Sequence, residues 1–422
     1  MSTSGVAAAS ASGTFEVSER VRRLKPSATL AVSQKAAELR AQGVAVLSFA
    51  AGEPDFDTPA AIKAAVSVDL EAGKTKYAPV PGPPEVRELI AAKLRDENGI
   101  DTTAEHVVVT AGGKQALYEL FLAIFDEGAG EPGELVVPEP AWVSYRPQAE
   151  LAGGRVVSVG TDASSDFKAT AEQIEAAITP RTRAVVLNSP SNPCGTMYSE
   201  AELRAIGTML ARHPQVLVIS DEIYEKLIFG SVPHFSIGSM PEIGERVVTV
   251  NGLSKAYAMT GWRVGYLAGS GGIGLEIAKA VKKLQSQSTT SVPGFFASAI
   301  RVAMTESAGE VERMRVAFAA RARLMHDRLS AMPGVVCAEP TGAMYCFPDV
   351  STHFGKKSPA GHEVTSGLSF ASALLEEQHV ACVPGDPFGA GGEKCCRFSF
   401  ACSEAQITDG MDKLETFLAS LT

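Results

Sequence analysis

The amino-acid sequence predicts an α/β protein, a mostly parallel sheet covered by helices on both faces, with a smaller α+β domain beside it. Three observations carry this. From about residue 105 to 269, short runs rich in Val and Ile alternate with helical patterns. Those runs are apolar almost throughout rather than at every second position, as strands buried on both faces require. From about residue 295 the texture changes to a long helical pattern followed by loop-rich stretches.

In chain order, EHVVVTA (105–111) reads as a strand and KQALYELFLAIFD (114–126) as a helix. GELVVPEP (133–140) is a strand, and AWVSYRPQAELAG (141–153) a helix closed by Gly. RVVSVG (155–160) precedes a helix over 169–178, and RAVVLNSP (183–190) is the next strand. Ser199 with Glu202 forms a capping box that opens a helix. VLVISDEIY (216–224), RVVTVNG (246–252) and RVGYLAG (263–269) are the later strands, and 310–332 is a long helix. The division is a disordered tail at 1–14, a small domain from 15–60 with 300–422, and a large domain at 61–299. Residues 15–50 show no strand partner of their own and are expected to pack with the small domain.

Composition narrows the function. A chain of 422 residues is past the size at which one core stops growing. With 45% hydrophobic and 20% charged residues it is no disordered, collagen-like or disulfide-stapled chain. Asp and Glu number 48 against 38 Lys and Arg, a net charge of −10 without a basic block, which argues against nucleic-acid or anionic-membrane partners. Seven cysteines, an odd count with no CxxC pair, read as reduced thiols in a cytoplasmic protein. No two histidines fall at helical ligand spacing, so no metal centre is expected. The first thirteen residues carry no Lys or Arg, and no run of about 18 apolar residues occurs, so neither a targeting segment nor a membrane span is expected.

In parallel sheets, ligands collect outside the carboxyl ends of the strands. That singles out Gly112–Lys114, Pro140–Trp142, Asn188–Gly195, Asp221–Tyr224 and Gly252–Lys255. Two glycine motifs are decoys. GSGGIG (269–274) lacks the acid about 20 residues on that a dinucleotide site needs, and reads as a turn. GGKQ (112–115) is no nucleotide P-loop; it is either a phosphate seat at a helix start or a tight turn.

The chemistry concentrates in VTVNGLSKAYAMTGWRVGY (248–266). A lysine closing a buried strand becomes a Schiff-base nucleophile when desolvation and neighbouring cations depress its pKa; otherwise it is a solvated loop lysine. In SDEIY (220–224) an aspartate follows a strand, placed either to protonate a heterocyclic nitrogen or simply to cap a helix. NSPSNPCG (188–195) alone is plain turn chemistry.

Taken together and in order, these pieces resemble the fold-type I, class I pyridoxal-phosphate aminotransferases over roughly residues 20–420. AGEPDFDTP (51–59), GKTKYAPVPG (73–82), GGKQAL (112–117), PAWVSY (140–145) and CRFSFACS (396–403) extend the match. Within the family, the bacterial aspartate and aspartate/prephenate aminotransferases are most alike. The resemblance implies that Lys255 bonds the cofactor and shuttles the substrate α-proton. It implies that Asp221 pairs with the ring nitrogen, that Tyr224 and Asn192 bond the ring oxygen, and that Trp142 stacks on the ring. Phosphate would be held by Gly112, Gly113, Arg263 and a Tyr77 reaching across a homodimer. Arg397 would grip the α-carboxylate, with Gly52, Trp142 and Asn192 near it.

Two departures stand out. Many relatives carry a serine three residues before the lysine, where this chain has Gly252, so Arg263, the Gly112–Gly113 turn or Ser254 must compensate. The segment QSQSTTS (285–291) lacks the arginine that animal-type aspartate enzymes use for the distal carboxylate. In the resembling bacterial subgroup a lysine in the GGKQ turn does that work, which points to Lys114. Thr29 and Lys25 would lie near the entrance, Lys25 equally as a surface charge. The implied reaction is ping-pong transfer of the amino group of an L-amino acid, aspartate foremost, to 2-oxoglutarate. Alternatives are a prephenate or aromatic/neutral amino acid aminotransferase, a β-lyase, or a cofactor-binding regulator without turnover.

Overall fold

The computed structural model describes residues 16–24, 28–126, 128 and 130–422. The expected tail at 1–14 and Lys25 lie outside them, as does the side chain of Thr29, whose backbone falls in the helix Ala28–Ala41.

In chain order the described strands are β1 (Leu47–Ser48), β2 (Val107–Thr110), β3 (Glu134–Glu139), β4 (Arg155–Gly160), β5 (Thr182–Asn188) and β6 (Leu217–Asp221). They continue as β7 (Val247–Gly252), β8 (Gly265–Ala268), β9 (Tyr345–Cys346), β10 (Val380–Ala381), β11 (Val383–Pro384) and β12 (Cys396–Ser399). Seven of them make one sheet in the order β2-β8-β7-β6-β5-β3-β4. Its pairs are parallel except those of β8, which runs against both neighbours. The reversal matters for the site. The parallel strands deliver their carboxyl ends to one rim, whereas β8 delivers its start, and with it Arg263. Register aligns these points, with Asn188 opposite Asp221, and Gly265 opposite both Thr110 and Gly252.

Both faces of the sheet are covered, as the continuous apolar runs require. On one face Val108, Leu135, Ile219 and Val250 pack with Leu117, Leu120 and Phe121 of the helix Gly113–Ile124 and with Val281. On the other, Val136, Val185 and Val218 meet Leu203, Ile206 and Leu210 of the helix Glu200–Ala211. Each such side chain contributes about 1.5–3 kcal/mol by leaving water. The capping box of Ser199 and Glu202 is present. A separate core gathers Phe318 and Met325 of the helix Ala308–Ala331 with Tyr345, Phe398 and Phe417, around the three-stranded antiparallel sheet β11-β12-β9.

Two expectations are corrected. The N-terminal stretch does have a strand partner: Leu47 and Ser48 pair in parallel with Val380 and Ala381. The helix read from 141 starts only at Tyr145, and the residues before it form a loop in which the Ala141 N–H bonds the Phe388 carbonyl at 2.8 Å. Trp142 therefore stands on a loop pinned by the C-terminal part of the chain. GSGGIG is a tight turn into the helix Gly271–Gln285; a Cβ on Gly269 would lie 2.6 Å from Gly274 Cα.

Candidate active site

The turn after β7 carries Lys255. Its Nζ donates to the Gly52 carbonyl and lies 6.0 Å from the Tyr224 ring centroid. Burial of the amine, reinforced by the Arg397 charge, brings its pKa down to about 8. Glu53 opposes that shift, while Arg263 and Lys114 add to it. An amine with that pKa is about 10% neutral at pH 7, against about 0.03% for an ordinary lysine.

Asp221 closes β6 and is buried. Its Oδ2 accepts from the Tyr145 hydroxyl at 2.6 Å and its Oδ1 from the Ile223 N–H at 3.3 Å. Burial raises its pKa to about 6, against the pull of the Tyr145 bond. Tyr224 is buried as well, which pushes its phenol well above the usual range, and its hydroxyl meets that of Tyr345 at 2.9 Å. The Asn192 N–H donates to Asn188 Oδ1 at 2.9 Å, fixing the SNPCG turn, and its own Oδ1 accepts from Arg397 Nη1 at 2.9 Å.

Arg397 stands on β12 with 3% of its surface exposed. Nη2 donates to the Ala50 carbonyl at 3.1 Å, and buried Nε has no partner. The guanidinium carbon lies 4.5 Å from the Tyr345 ring centroid and 5.3 Å from that of Phe388. Among the described residues no carboxylate pairs with it. A buried cation so placed is costly unless an anion joins it, and its fork suits a carboxylate.

Arg263 holds a left-handed backbone, φ 55°, which turns its side chain back across the Gly112–Gly113 turn. It donates to the Thr260 carbonyl at 2.8 Å and the Ala111 carbonyl at 3.3 Å. Gly112 must be glycine here, since φ is 82° and a Cβ would lie 2.3 Å from Arg263 Nη2. The Gly112 N–H is already bonded to the Thr110 carbonyl at 2.7 Å, so the free edge of the turn begins at Gly113, the first residue of the helix. Lys114 follows, its Nζ 5.1 Å from the Trp142 ring centroid; partial burial and then the Arg263 charge lower its pKa.

The structure thus brings together Lys255, Asp221, Tyr224, Asn192, Arg397, Arg263, Gly52, Gly112, Gly113, Lys114 and Trp142. Tyr77 is 95% exposed and does not reach this site within its own chain. Gly252 has a steric reason. A Cβ there would lie 2.8 Å from the Val264 carbonyl and 2.9 Å from Gly265 Cα, so no serine fits. Gly265 in turn could not carry a Cβ, which would fall 2.3 Å from the Gly113 nitrogen. Ser254 is buried beside the lysine.

Tyr145 and Tyr345 escaped the sequence reading. Tyr145 lay inside PAWVSY, three residues after the tryptophan it packs against edge-on at 5.3 Å, which is the one signal it offered. Among the described residues, one group has metal-like spacing: Glu222, Glu225 and His234. The Lys93 ammonium already bonds Glu225 there, and Asn98 and Ser236 donate to the carboxylates, so the charge is met by side chains.

One rim of the mostly parallel α/β sheet thus gathers a desolvated lysine, a buried aspartate and several cations. Comparison with known proteins gives the family. The model for aminotransferases of class I and II matches residues 44–414. The chain is 42% identical to an aspartate/prephenate aminotransferase of Cereibacter sphaeroides, over 96% of this chain and 99% of that one. It is 41% identical to an aspartate aminotransferase of Geobacillus stearothermophilus, with the same coverage. The solved aspartate aminotransferase from Rhizobium meliloti superposes with a TM-score of 0.91 at 36% identity, covering 97% of this chain and all of that one. That from Thermus thermophilus with maleate gives 0.87 at 42% identity, covering 96% of this chain and 100% of that one. The chain belongs to the class I and II aminotransferases. It is an aminotransferase of a family that uses pyridoxal phosphate. Among the described residues no helix is long and apolar enough to cross a membrane.

Proposed function

We propose that this aminotransferase binds pyridoxal 5'-phosphate and moves the amino group of an L-amino acid, aspartate foremost, to 2-oxoglutarate in two half-reactions. The observation that carries the reading is a charge count. Arg397, Arg263 and Lys114 all act on Lys255, and among the described residues none of the three has a carboxylate partner. Three cations call for three anions, and a phosphate, an α-carboxylate and a distal carboxylate supply them.

The residues fit the cofactor. The orphaned Arg397 Nε, and the Arg263 guanidinium packed so closely over Gly112 that a Cβ there would lie 2.3 Å from its Nη2, both suit anionic groups. When bound, pyridoxal phosphate supplies a ring that withdraws electrons from the substrate α-carbon. Asp221 holds a proton on the ring nitrogen, and its own carboxylate is kept in place by Tyr145. Tyr224 and Asn192 bond the ring oxygen, and the Trp142 indole covers the ring face. Arg263 and the Gly112–Gly113 turn hold the phosphate, assisted by Tyr77 of the partner subunit. Arg397 orients the α-carboxylate between its aromatic neighbours, with Gly52 and Asn192 beside it. Lys255, as the neutral amine, would take the α-proton and deliver it to the cofactor C4′, two atoms away across the intervening nitrogen.

The enzyme is read as a cytoplasmic homodimer. The exposed Tyr77 supports the dimer, and seven free thiols, six of them buried, support a reducing compartment. The two-body division, 15–60 with 300–422 against 61–299, is retained with one change. The helix Ala297–Glu306 counts with the large body, because it shares a core with Val107 and Val109. Prephenate also presents two carboxylates, and the Cereibacter relative carries it in its name, so it stands as a second acceptor.

Two measurements test this. Lys114→Ala is expected to lower kcat/KM for aspartate about 10- to 100-fold, the worth of one charge-assisted bond, with alanine changed less than about threefold. Equal losses would refute the distal-carboxylate role. The rate at which the apoenzyme takes up pyridoxal phosphate should rise with pH through about 8 and then level off, because the neutral amine attacks. A midpoint near that of an ordinary lysine would show that Lys255 is not desolvated.

A further inference from the structure

Tyr345 has no part in the reaction as described so far, yet it touches two of the groups that do. It stands on β9, fully buried, with the Tyr224 hydroxyl 2.9 Å from its own. Its ring lies 4.5 Å from the Arg397 guanidinium carbon. A Cβ on Gly52, whose carbonyl accepts from Lys255, would lie 3.4 Å from the Tyr345 hydroxyl. The carbonyl of Tyr345 is pressed against the SNPCG turn, where a Cβ on Gly195 would come within 2.1 Å of it. So the side chain is held from both ends, and packing alone would be served as well by phenylalanine.

The hydroxyl has a direction. Each phenol has one proton to donate. Once the Tyr224 hydroxyl donates its hydrogen bond to the cofactor's ring oxygen, the bond between the two tyrosines can run only from Tyr345 to Tyr224. A hydroxyl that accepts a hydrogen bond is the stronger donor in its own. We propose that Tyr345 is a positioning residue for the transamination. Its hydroxyl strengthens the hold of Tyr224 on the ring oxygen, and its ring sets the plane of Arg397. One rigid side chain thereby ties the carboxylate grip to the cofactor's electronics. This rests on the function proposed above.

The test is a pH titration of the visible absorption of the enzyme reconstituted with pyridoxal phosphate, without substrate. A ring oxygen that receives a stronger hydrogen bond keeps its negative charge with less help from the proton on the neighbouring nitrogen, so that proton leaves at lower pH. Tyr345→Phe is expected to raise the midpoint by about 0.5 pH unit, a fraction of one hydrogen bond. Tyr224→Phe should raise it further, and the double variant should match Tyr224→Phe alone. An unmoved midpoint in Tyr345→Phe, with Tyr224→Phe shifted, overturns the proposal and leaves the function standing. Additive shifts in the double variant also overturn it. A wild-type protein with no visible band overturns both. In turnover, Tyr345→Phe should lower kcat with KM nearly unchanged, whereas Tyr345→Leu, lacking the ring, should raise KM for aspartate and alanine alike. If the leucine variant does not fold, the phenylalanine titration decides.

Discussion

Lys255→Ala is expected to reduce turnover by more than about four orders of magnitude, since it removes both the nucleophile and the proton carrier. The fold should not suffer. The folded-state pKa of Lys255, about 8, lies below that of an unfolded lysine, so at pH 7 the folded state disfavours its charged form. That cost is present below about pH 8 and fades as the pH rises through the folded and then the unfolded value. Removing the amine therefore leaves the melting temperature at neutral pH unchanged or higher. Circular dichroism melts and a coupled transaminase assay check both halves. Residual activity within a hundredfold of wild type would end the assignment of Lys255, and a lower melting temperature would show that its bond to Gly52 matters more than its desolvation.

Asp221→Asn should be nearly as damaging, with a loss of about three orders of magnitude or more, roughly 4 kcal/mol of transition-state stabilisation. The amide keeps the size of the side chain and the Tyr145 bond but cannot hold a proton on a ring nitrogen. With its pKa near 6 before any cation faces it, Asp221 is mostly ionised at neutral pH, and a protonated ring nitrogen would ionise it further. Single-turnover kinetics with aspartate isolate this step from binding. A loss of less than tenfold would reduce Asp221 to a capping residue of the turn that follows.

How much of this was legible beforehand follows from what each feature depends on. The alternation of strands and helices could be read because strands buried on both faces leave unbroken apolar runs, as in Val107–Val109 and Val185–Leu187. The reversed direction of β8 could not, since periodicity carries no direction. Nor could the loop that precedes the helix at Tyr145, which is tied by Ala141 to a carbonyl at Phe388. The residues after each strand were found because sheet topology gathers them at one rim. Tyr145 and Tyr345 were missed because their roles belong to partners far along the chain, Asp221 at a separation of 76 residues and Tyr224 at 121. Gly252 was noticed as a departure, but its reason lies in the backbone of the neighbouring strand.

That backbone contact has a wider consequence. Gly113, Gly265 and Gly252 press helix start, reversed strand and lysine-bearing strand together with no side chain between them. The interval between the phosphate seat and the amine is thus a property of peptide geometry alone, beyond the reach of any rotamer. Mutational drift can reshape Lys114, the entrance or the 285–291 segment, and so retune which side chain is welcomed, while this spacing stays invariant. Substrate preference and chemical competence can then change independently in one scaffold.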